Sequence, residues 1–181
     1  MILYLLRHTK TSCPEGMCYG QTDVSLALTS HEDINSAVER CEDIEFSSVY
    51  SSPLQRCALL AKEVARGKKT IYDNRLMELN FGTWEGRLWN DIDRTEEAKQ
   101  WFIDYQKSTC PQGESYNQLI QRVAGFLDEL LWHEKEPSVV IVTHGGVIRA
   151  IHSIVNSISP IEAFRLNVDY GQLLKMEYKP R

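Results

Sequence analysis

Residues 139–155, VVIVTHGGVIRAIHSIV, join a short apolar run to a helical pattern through one histidine and two glycines. The consecutive apolar residues 139–142 are typical of a strand that is covered on both faces. His144 follows at the strand tip, and Gly145 and Gly146 open a helix whose first backbone N–H groups are free to bind an anion. The stretch therefore predicts a strand followed directly by a helix, with a candidate anion site at their junction.

The N-terminal stretch MILYLLRHTKTS, residues 1–12, has the same form. Its apolar run at residues 2–6 predicts a second buried strand, which delivers Arg7 and His8 at its tip. The run is too short for a membrane span or for the core of a signal peptide, and no basic segment precedes it. We therefore expect a cytoplasmic protein with no membrane partner.

A third run, residues 46–50, leads into SSPLQR. Ser52 suits the N-cap of a helix and Pro53 its first position, which places Arg56 about one turn into that helix. In open α/β sheets, ligands bind outside the carboxyl ends of the strands. Arg56 is therefore expected to lie close to the residues at the other two strand tips.

Two arginines and two histidines are thus expected to converge at one edge of the sheet. Guanidinium groups bind phosphate oxygens bidentately. The convergence of Arg7, His8, Arg56 and His144 therefore predicts a pocket for a phosphate group.

Helical patterns lie between and after the three runs, with Thr29 or Ser30 as the expected cap of the first. Two of them have apolar residues at helical spacing: Ile34, Ala37, Val38 and Cys41, then Leu54, Cys57, Ala58, Ala61 and Val64. Residues 95–105 predict another helix, and a long amphipathic helix follows with one apolar face: Leu119, Ile120, Val123, Phe126, Leu127, Leu130 and Leu131. Residues 172–178 predict an edge strand. Strands that alternate with helices indicate an α/β layer fold.

The composition narrows the class of protein. A chain of 181 residues is long enough for one full hydrophobic core, so we expect one domain over residues 1–181. The net charge of −5 and the lack of a Lys/Arg-rich stripe argue against a nucleic-acid partner. Five cysteines make an odd number without C-x-x-C spacing, so we expect reduced structural thiols and no metal site.

Four ordered motifs resemble the histidine phosphatase superfamily, the phosphoglycerate mutase-like group. They are LLRHTK, SSPLQRCALLA, LMELNFGTWEG and VTHGGV, and they extend from residue 5 to residue 147. The resemblance implies a three-layer α/β/α sandwich with a mostly parallel central sheet. It also implies that His8 is a nucleophile, that Arg7, Arg56 and His144 bind the phosphoryl group, and that Glu78 donates a proton.

These implied roles agree with the chemistry of the side chains. A neutral imidazole has a free ring nitrogen, so His8 can attack phosphorus and form a phosphohistidine without a metal, a cofactor or a separate base. An alcohol leaving group needs a proton, which a partly desolvated carboxylic acid can give. Glu85 is the nearest rival of Glu78 for this role, and Asp73 is a weaker one.

Two residues depart from the family pattern, in which the Arg-His pair is followed by Gly and then commonly by Glu. Thr9 places a side chain where the family has only backbone, and its hydroxyl is a candidate donor to phosphate. Lys10 replaces an acid with a cation, which makes the mouth of the pocket more favourable to anions.

Two further segments resemble the family. In GMCYGQTD, residues 16–23, a short turn is expected to offer backbone N–H groups, so Tyr19 and Gly20 are candidates for ligand contact. In PQGESYNQLIQRV, Glu114 and Ser115 are expected to cap the long helix.

Within the superfamily, CYGQTDVSLALT and FGTWEG look most similar to the α-ribazole-5′-phosphate phosphatases of cobalamin nucleotide-loop assembly. A broad-specificity small-molecule phosphatase and a phosphoglycerate mutase-like enzyme are the alternatives, and a non-catalytic phosphate-binding module is a third. In each case the expected partner is a small phosphorylated metabolite, and the oligomeric state stays open. Aromatic residues can stack on a base or simply pack, and the candidates are Trp84, Trp89, Tyr19 and Tyr105.

Overall fold

A computed structural model describes residues 1–134 and 137–179. The described residues form one five-stranded sheet, in chain order β1 (Ile2–Arg7), β2 (Ser48–Ser51), β3 (Lys69–Tyr72), β4 (Ser138–Thr143) and β5 (Leu173–Glu177). The spatial order is β3-β2-β4-β1-β5. The first four strands are parallel to their neighbours, and β5 pairs with β1 in the antiparallel direction. The sheet is therefore mostly parallel, with one antiparallel edge strand.

Helices connect the strands. In the described ranges they are α1 (Ser30–Glu39), α2 (Gln55–Ala65), α3 (Trp89–Ile92), α4 (Glu96–Ile103), α5 (Tyr116–His133), α6 (Gly145–Asn156) and α7 (Pro160–Ala163). Two short 3₁₀ turns precede α3, at Asn74–Leu76 and Gly82–Trp84.

The central strand β4 has an apolar core on each of its faces. Val139 and Ile141 pack into a cluster that includes residues of α5 and α6. Val140 and Val142 alternate with them and pack into a second cluster, which includes residues of α1 and α2. Helices thus cover both faces of the sheet, and the expected three-layer α/β/α sandwich is confirmed.

The four strands predicted from apolar patterns are present, with ends shifted by one or two residues. β3 was not predicted, because its residues alternate only partly and lie half-buried or exposed at the edge of the sheet. The predicted helix at residues 95–105 is α4, which begins after a Thr95 cap and ends at Ile103.

The expected start of α2 was wrong. Leu54 has extended backbone angles (φ −60°, ψ 133°), so the helix begins at Gln55 and not at Pro53. Ser52 therefore does not cap α2, and its Oγ lies 2.9 Å from Nε2 of His144. Arg56 is accordingly the second residue of the helix rather than one turn into it.

The predicted helix caps have mixed outcomes. Ser115 forms a capping box with Gln118 at the start of α5, as expected. Glu114 does not cap: its carboxylate accepts hydrogen bonds from Arg122 and from the backbone N–H of Asn80. Thr29 stands at the cap position of α1 without a side-chain hydrogen bond to the helix.

Two findings concern the described residues taken together. None of the helices in the described part combines the length and the apolar character needed to cross a bilayer. All five cysteines lie in described ranges and none is disulfide-bonded; Cys13 is half-buried and the other four are buried.

Candidate active site

A cleft of about 870 Å³ opens at the carboxyl ends of β1, β2 and β4. The order of the sheet makes these three strands neighbours, and Arg7 at the end of β1 pairs in register with Thr143 at the end of β4. All four residues expected at the strand tips line this cleft: Arg7, His8, Arg56 and His144. The predicted convergence at one edge of the sheet is therefore present.

His8 is buried, with 2% of its surface exposed, and its ring is fixed by one backbone contact. Nδ1 lies 2.8 Å from the carbonyl oxygen of Thr9, which can only accept, so Nδ1 carries the hydrogen. Burial, together with the positive charges of Arg56 and Arg7, lowers the pKa of His8 from 6.5 to about 3. The ring is therefore neutral near pH 7, and its free lone pair is on Nε2.

His144 is fully buried beside His8, with 5.1 Å between the ring centroids. Its Nε2 contacts Ser52 Oγ at 2.9 Å and Cys57 Sγ at 3.5 Å. Burial, the neighbouring imidazole of His8 and the positive charge of Arg56 hold the pKa of His144 well below its usual value. The cleft thus contains two imidazoles that are both uncharged near pH 7.

The two arginines are anchored through backbone carbonyls. Arg7 Nη1 donates to Val168 at 2.5 Å, and the two Nη atoms of Arg56 donate to Thr22 and Gly20 at 2.9 and 2.6 Å. The Nε atoms of both arginines are buried without a hydrogen-bond partner among the described residues. Each arginine therefore keeps an unpaired donor, which an anionic ligand can satisfy.

Glu78 is the one carboxyl of the three considered that lines the cleft. Its Oε1 accepts from the backbone N–H of Leu79 at 2.9 Å, and its Oε2 from that of Gly146 at 3.0 Å. The expectation that both glycine N–H groups at the start of α6 are free was therefore wrong for Gly146. A β-carbon at Gly146 would collide with Oε1 of Glu78, so glycine is what allows this approach.

Arg122 of α5 holds the segment that carries Glu78, a role that the sequence did not indicate. Its Nη1 donates to the carbonyl of Arg75 at 2.6 Å, and its Nη2 to the carbonyl of Glu78 at 2.8 Å. Glu114 pairs with the same guanidinium at 2.6 Å, and both side chains are largely buried. The carboxyl of Glu78 is therefore presented by a fixed backbone.

The two rival carboxylates are engaged elsewhere. Glu85 accepts from the backbone N–H groups of Gln21, Thr22 and Phe81. Asp73 forms a salt bridge of 2.6 Å with Arg75, and the hydrogen bonds that Arg75 donates lower the pKa of the Asp73 carboxyl. Both carboxylates organise loops, which is a structural role.

The segment at residues 16–23 lines the cleft through Tyr19 and Gly20, as expected of ligand-contact candidates. The expectation that this turn offers free backbone N–H groups was wrong for Gln21 and Thr22, because both amides donate to Glu85. A β-carbon at Gly20 would collide with the carbonyl of Leu79, so this position needs glycine for close packing.

Thr9 and Lys10 take different positions. Lys10 lines the cleft, in agreement with its expected effect on anions. Thr9 is buried and lines a separate cavity of about 140 Å³ beside Gly171, so the expectation that its hydroxyl donates to phosphate in the cleft is not supported.

Among the cleft residues that sequence reasoning did not single out are Arg149 and Tyr170. Arg149 lies one turn into α6, so its spacing of four from Gly145 is a signal that was available. Burial and the charge of Arg7 lower its pKa. Tyr170 lies in the loop before β5, and nothing in its local sequence predicts that it lines the cleft.

Of the aromatic candidates, Tyr19 and Trp89 line the cleft, and Phe81 joins them with its ring centroid 5.2 Å from that of Trp89. Trp84 is 2% exposed and packs in the core. Tyr105 packs against Tyr116 and Phe164.

The sequence matches a protein family and is similar to several known proteins. Residues 3–181 match the family described as histidine phosphatase superfamily (branch 1). Phosphoserine phosphatase 1 of Hydrogenobacter thermophilus is 29% identical over 155 residues, which cover 83% of this chain and 74% of that protein. A probable phosphoglycerate mutase of Shigella boydii is 27% identical over 184 residues, covering 98% of this chain and 85% of that protein.

A solved structure has the same fold. The α-ribazole phosphatase of Shigella flexneri superposes with a TM-score of 0.90 at 25% identity, covering 98% of this chain and 90% of that one. The family match spans nearly the whole sequence, and the residues of all four motifs meet in one cleft. The chain therefore belongs to the histidine phosphatase superfamily and is a phosphatase.

Proposed function

We propose that this phosphatase hydrolyses small phosphomonoesters through a phosphohistidine on His8, without a metal ion. The observation that carries the proposal is the state of His8: Nδ1 donates to the carbonyl of Thr9, and the low pKa keeps the ring neutral. A neutral imidazole with its lone pair on Nε2 is ready to attack at physiological pH. No separate base is needed to activate it.

In the first step, His8 Nε2 attacks phosphorus, and the bond from phosphorus to the leaving oxygen breaks. Glu78, protonated for this step, gives its proton to the leaving oxygen, which departs as an alcohol. In the second step, water attacks phosphorus and the P–N bond breaks. The carboxylate of Glu78 takes the proton of the water, inorganic phosphate forms, and His8 is neutral again.

Arg7, Arg56 and His144 supply the binding of the phosphoryl oxygens. The unpaired buried Nε atoms of the two arginines are donors that a phosphoryl oxygen can satisfy. His144 is neutral and is held by Ser52, so it acts as a hydrogen-bond donor without repelling the neighbouring guanidinium groups. Gly145, Tyr19 and Gly20 complete the proposed contacts with the substrate.

We propose α-ribazole 5′-phosphate as the substrate. Phe81, Trp89 and Tyr19 give the cleft an aromatic side, which suits the stacking of a planar base. The similarity in fold to an α-ribazole phosphatase agrees with this choice.

A second candidate is a phosphomonoester whose leaving group carries a carboxylate. The observation that favours it is the presence of Arg149 and Lys10 in the cleft, in addition to the two arginines assigned to phosphate. A carboxylate is the natural partner of such an extra guanidinium. The relative named as a phosphoserine phosphatase makes phosphoserine the obvious test compound.

The test is kcat/KM in the presence of EDTA for α-ribazole 5′-phosphate, phosphoserine and 3-phosphoglycerate, with wild type, His8→Ala and Arg149→Leu. We expect α-ribazole 5′-phosphate to be the best substrate, and His8→Ala to lose on the order of a thousandfold or more. Arg149→Leu should leave the preferred substrate nearly unchanged.

Two results would overturn parts of the proposal. If phosphoserine is the best substrate and Arg149→Leu abolishes that preference, the second candidate replaces the first. If activity disappears in EDTA and returns with a divalent metal, the metal-free mechanism is wrong.

A further inference from the structure

Two tyrosines bridge the cleft through their hydroxyl groups. Tyr19 and Tyr170 are 151 residues apart in the chain, and their Oη atoms lie 2.9 Å apart. Both side chains line the cleft. Burial raises the pKa of the Tyr19 hydroxyl, so this phenol keeps its proton near pH 7 and can take part in the bridge as a donor.

Each tyrosine faces one of the two arginines that bind phosphate in the proposed function. The ring centroid of Tyr170 lies 3.9 Å from Cζ of Arg7, and the ring of Tyr19 lies 5.2 Å from Cζ of Arg56. A guanidinium group over an aromatic face is attracted to it and is restricted in rotation. The hydroxyl contact therefore joins two arginine–tyrosine pairs into one chain across the cleft.

The backbone ties each tyrosine to the arginine that it faces. Near Tyr170, the N–H of Gly171 lies 3.2 Å from the carbonyl oxygens of both Arg7 and His8, and Val168 accepts from Arg7 Nη1. Next to Tyr19, the carbonyl of Gly20 accepts from Arg56 Nη2. A shift of either tyrosine would thus move the guanidinium beside it.

Without such contacts, the two arginines would be difficult to keep together. Both guanidinium groups are positive and line the same cleft, and the Nε atom of each lacks a partner among the described residues. Their mutual repulsion favours separation until a phosphate dianion arrives. A bridge that fixes both planes beforehand lowers the cost of ordering them when the ligand binds.

We propose that Tyr19 and Tyr170 are positioning residues, whose hydroxyl bridge holds Arg7 and Arg56 at the spacing that a phosphate group needs. The inference rests on the proposed function, in which both arginines bind the phosphoryl group. It adds two residues that act through the arginines and not on the reacting atoms.

The test compares Tyr19→Phe, Tyr170→Phe and the double Phe variant. The readouts are the inhibition constant of inorganic phosphate and the kcat and KM of p-nitrophenyl phosphate. Either single change removes the same hydrogen bond, so each should weaken phosphate binding by about threefold to tenfold. The Tyr19 hydroxyl also interacts with Thr11, so the double variant should lose no more than the larger of the two single losses.

Two more variants make the pattern specific. Tyr170→Leu removes the ring as well as the hydroxyl, and it should weaken phosphate binding further than Tyr170→Phe does. Tyr72→Phe is the matched control, because Tyr72 is an exposed tyrosine on β3 outside the cleft lining, and it should match wild type. If Tyr170→Leu fails to fold, the three Phe variants decide the question alone.

Single Phe variants that bind phosphate like wild type would overturn the inference, and so would losses that multiply in the double variant. The inhibition constant reports binding of phosphate and not attack by His8. A failure of the phosphohistidine mechanism, seen as an active His8→Ala variant, is therefore distinguishable from a failure of the tyrosine bridge.

Discussion

Two buried imidazoles lie at the centre of the cleft, and their surroundings give them different tasks. His8 has its Nδ1 hydrogen directed to a backbone carbonyl, which leaves the lone pair on Nε2, the atom that attacks phosphorus in the proposed mechanism. His144 has its Nε2 in contact with the hydroxyl of Ser52, and the charges of Arg56 and Arg7 act on its ring. Burial lowers the pKa of both, so neither adds positive charge to a site that is already rich in it.

The proton transfer that we propose for Glu78 can be tested separately from binding, because its importance depends on the leaving group. An alkyl alcohol leaves poorly without a proton, whereas p-nitrophenolate leaves without one. In the proposed mechanism Glu78 also serves the hydrolysis of the phosphohistidine, so the quantity to compare is kcat/KM, which reports only the steps up to departure of the leaving group. We expect Glu78→Gln to lose about a hundredfold to ten-thousandfold in kcat/KM with α-ribazole 5′-phosphate, and less than about tenfold with p-nitrophenyl phosphate. Steady-state rates on the two substrates measure the ratio.

Glu85→Gln is the matched control for that experiment. Glu85 does not line the cleft and accepts from three backbone N–H groups, so its loss acts through the loop and should affect both substrates equally. Equal losses on both substrates for Glu78→Gln would remove Glu78 from the role of acid.

At the level of strands and helices, the sequence predicted the parts of the fold that are buried on both faces. The runs at residues 2–6 and 139–142 became β1 and β4, whose apolar residues are covered by helices on either side. The edge strand β5 was predicted from the alternation in residues 172–178. β3 was missed because its four residues form neither a continuous apolar run nor a clear alternation.

Local rules were less reliable where a side chain serves the site. Ser52 and Pro53 have the form of a helix start, yet Leu54 stays extended and the hydroxyl of Ser52 binds His144. A tertiary hydrogen bond to a buried imidazole here takes the place of a helix cap. This contact joins residues that are 92 positions apart, so no periodic pattern in the sequence reveals it.

The residues alone predicted the candidate site at the strand ends and at Arg56 just beyond one of them, and the family resemblance added Glu78. Arg7, His8 and His144 stand at strand tips, so the α/β topology brings them together. Arg122 and Tyr170 act from α5 and from the loop before β5, and their contacts depend on how those elements pack. Supporting residues of this kind need the three-dimensional structure.

For the molecule as a whole, two neutral histidines in the core make stability depend on pH. The unfolded chain binds protons on both below pH 6.5, whereas folded His8 stays neutral down to about pH 3 and the pKa of His144 is also well below 6.5. Unfolding therefore takes up protons in this range, and stability is lost as the pH falls from 6.5 towards 3. Above pH 6.5 the two groups have no such effect.

Urea unfolding at pH 7.5 and pH 5.0 measures this effect. His8, whose pKa falls to about 3 in the folded chain, should cost about 2 kcal/mol of unfolding free energy at the lower pH, and His144 should add a loss in the same direction. His8→Asn removes one of the two titrating groups, so its loss between the two pH values should be smaller by a similar amount. A variant with the same pH dependence as wild type would show that His8 is not held neutral by the fold.

The covalent step is the centre of this account, and it can be observed directly. Rapid acid-free quenching of the enzyme during turnover of a substrate with a labelled phosphoryl group, followed by digestion and mass spectrometry, locates any covalent phosphate. We predict one phosphoryl group on His8, stable in base, released in acid, formed in EDTA and absent from His8→Ala. Label on another residue, or full turnover by His8→Ala, would contradict the phosphohistidine mechanism.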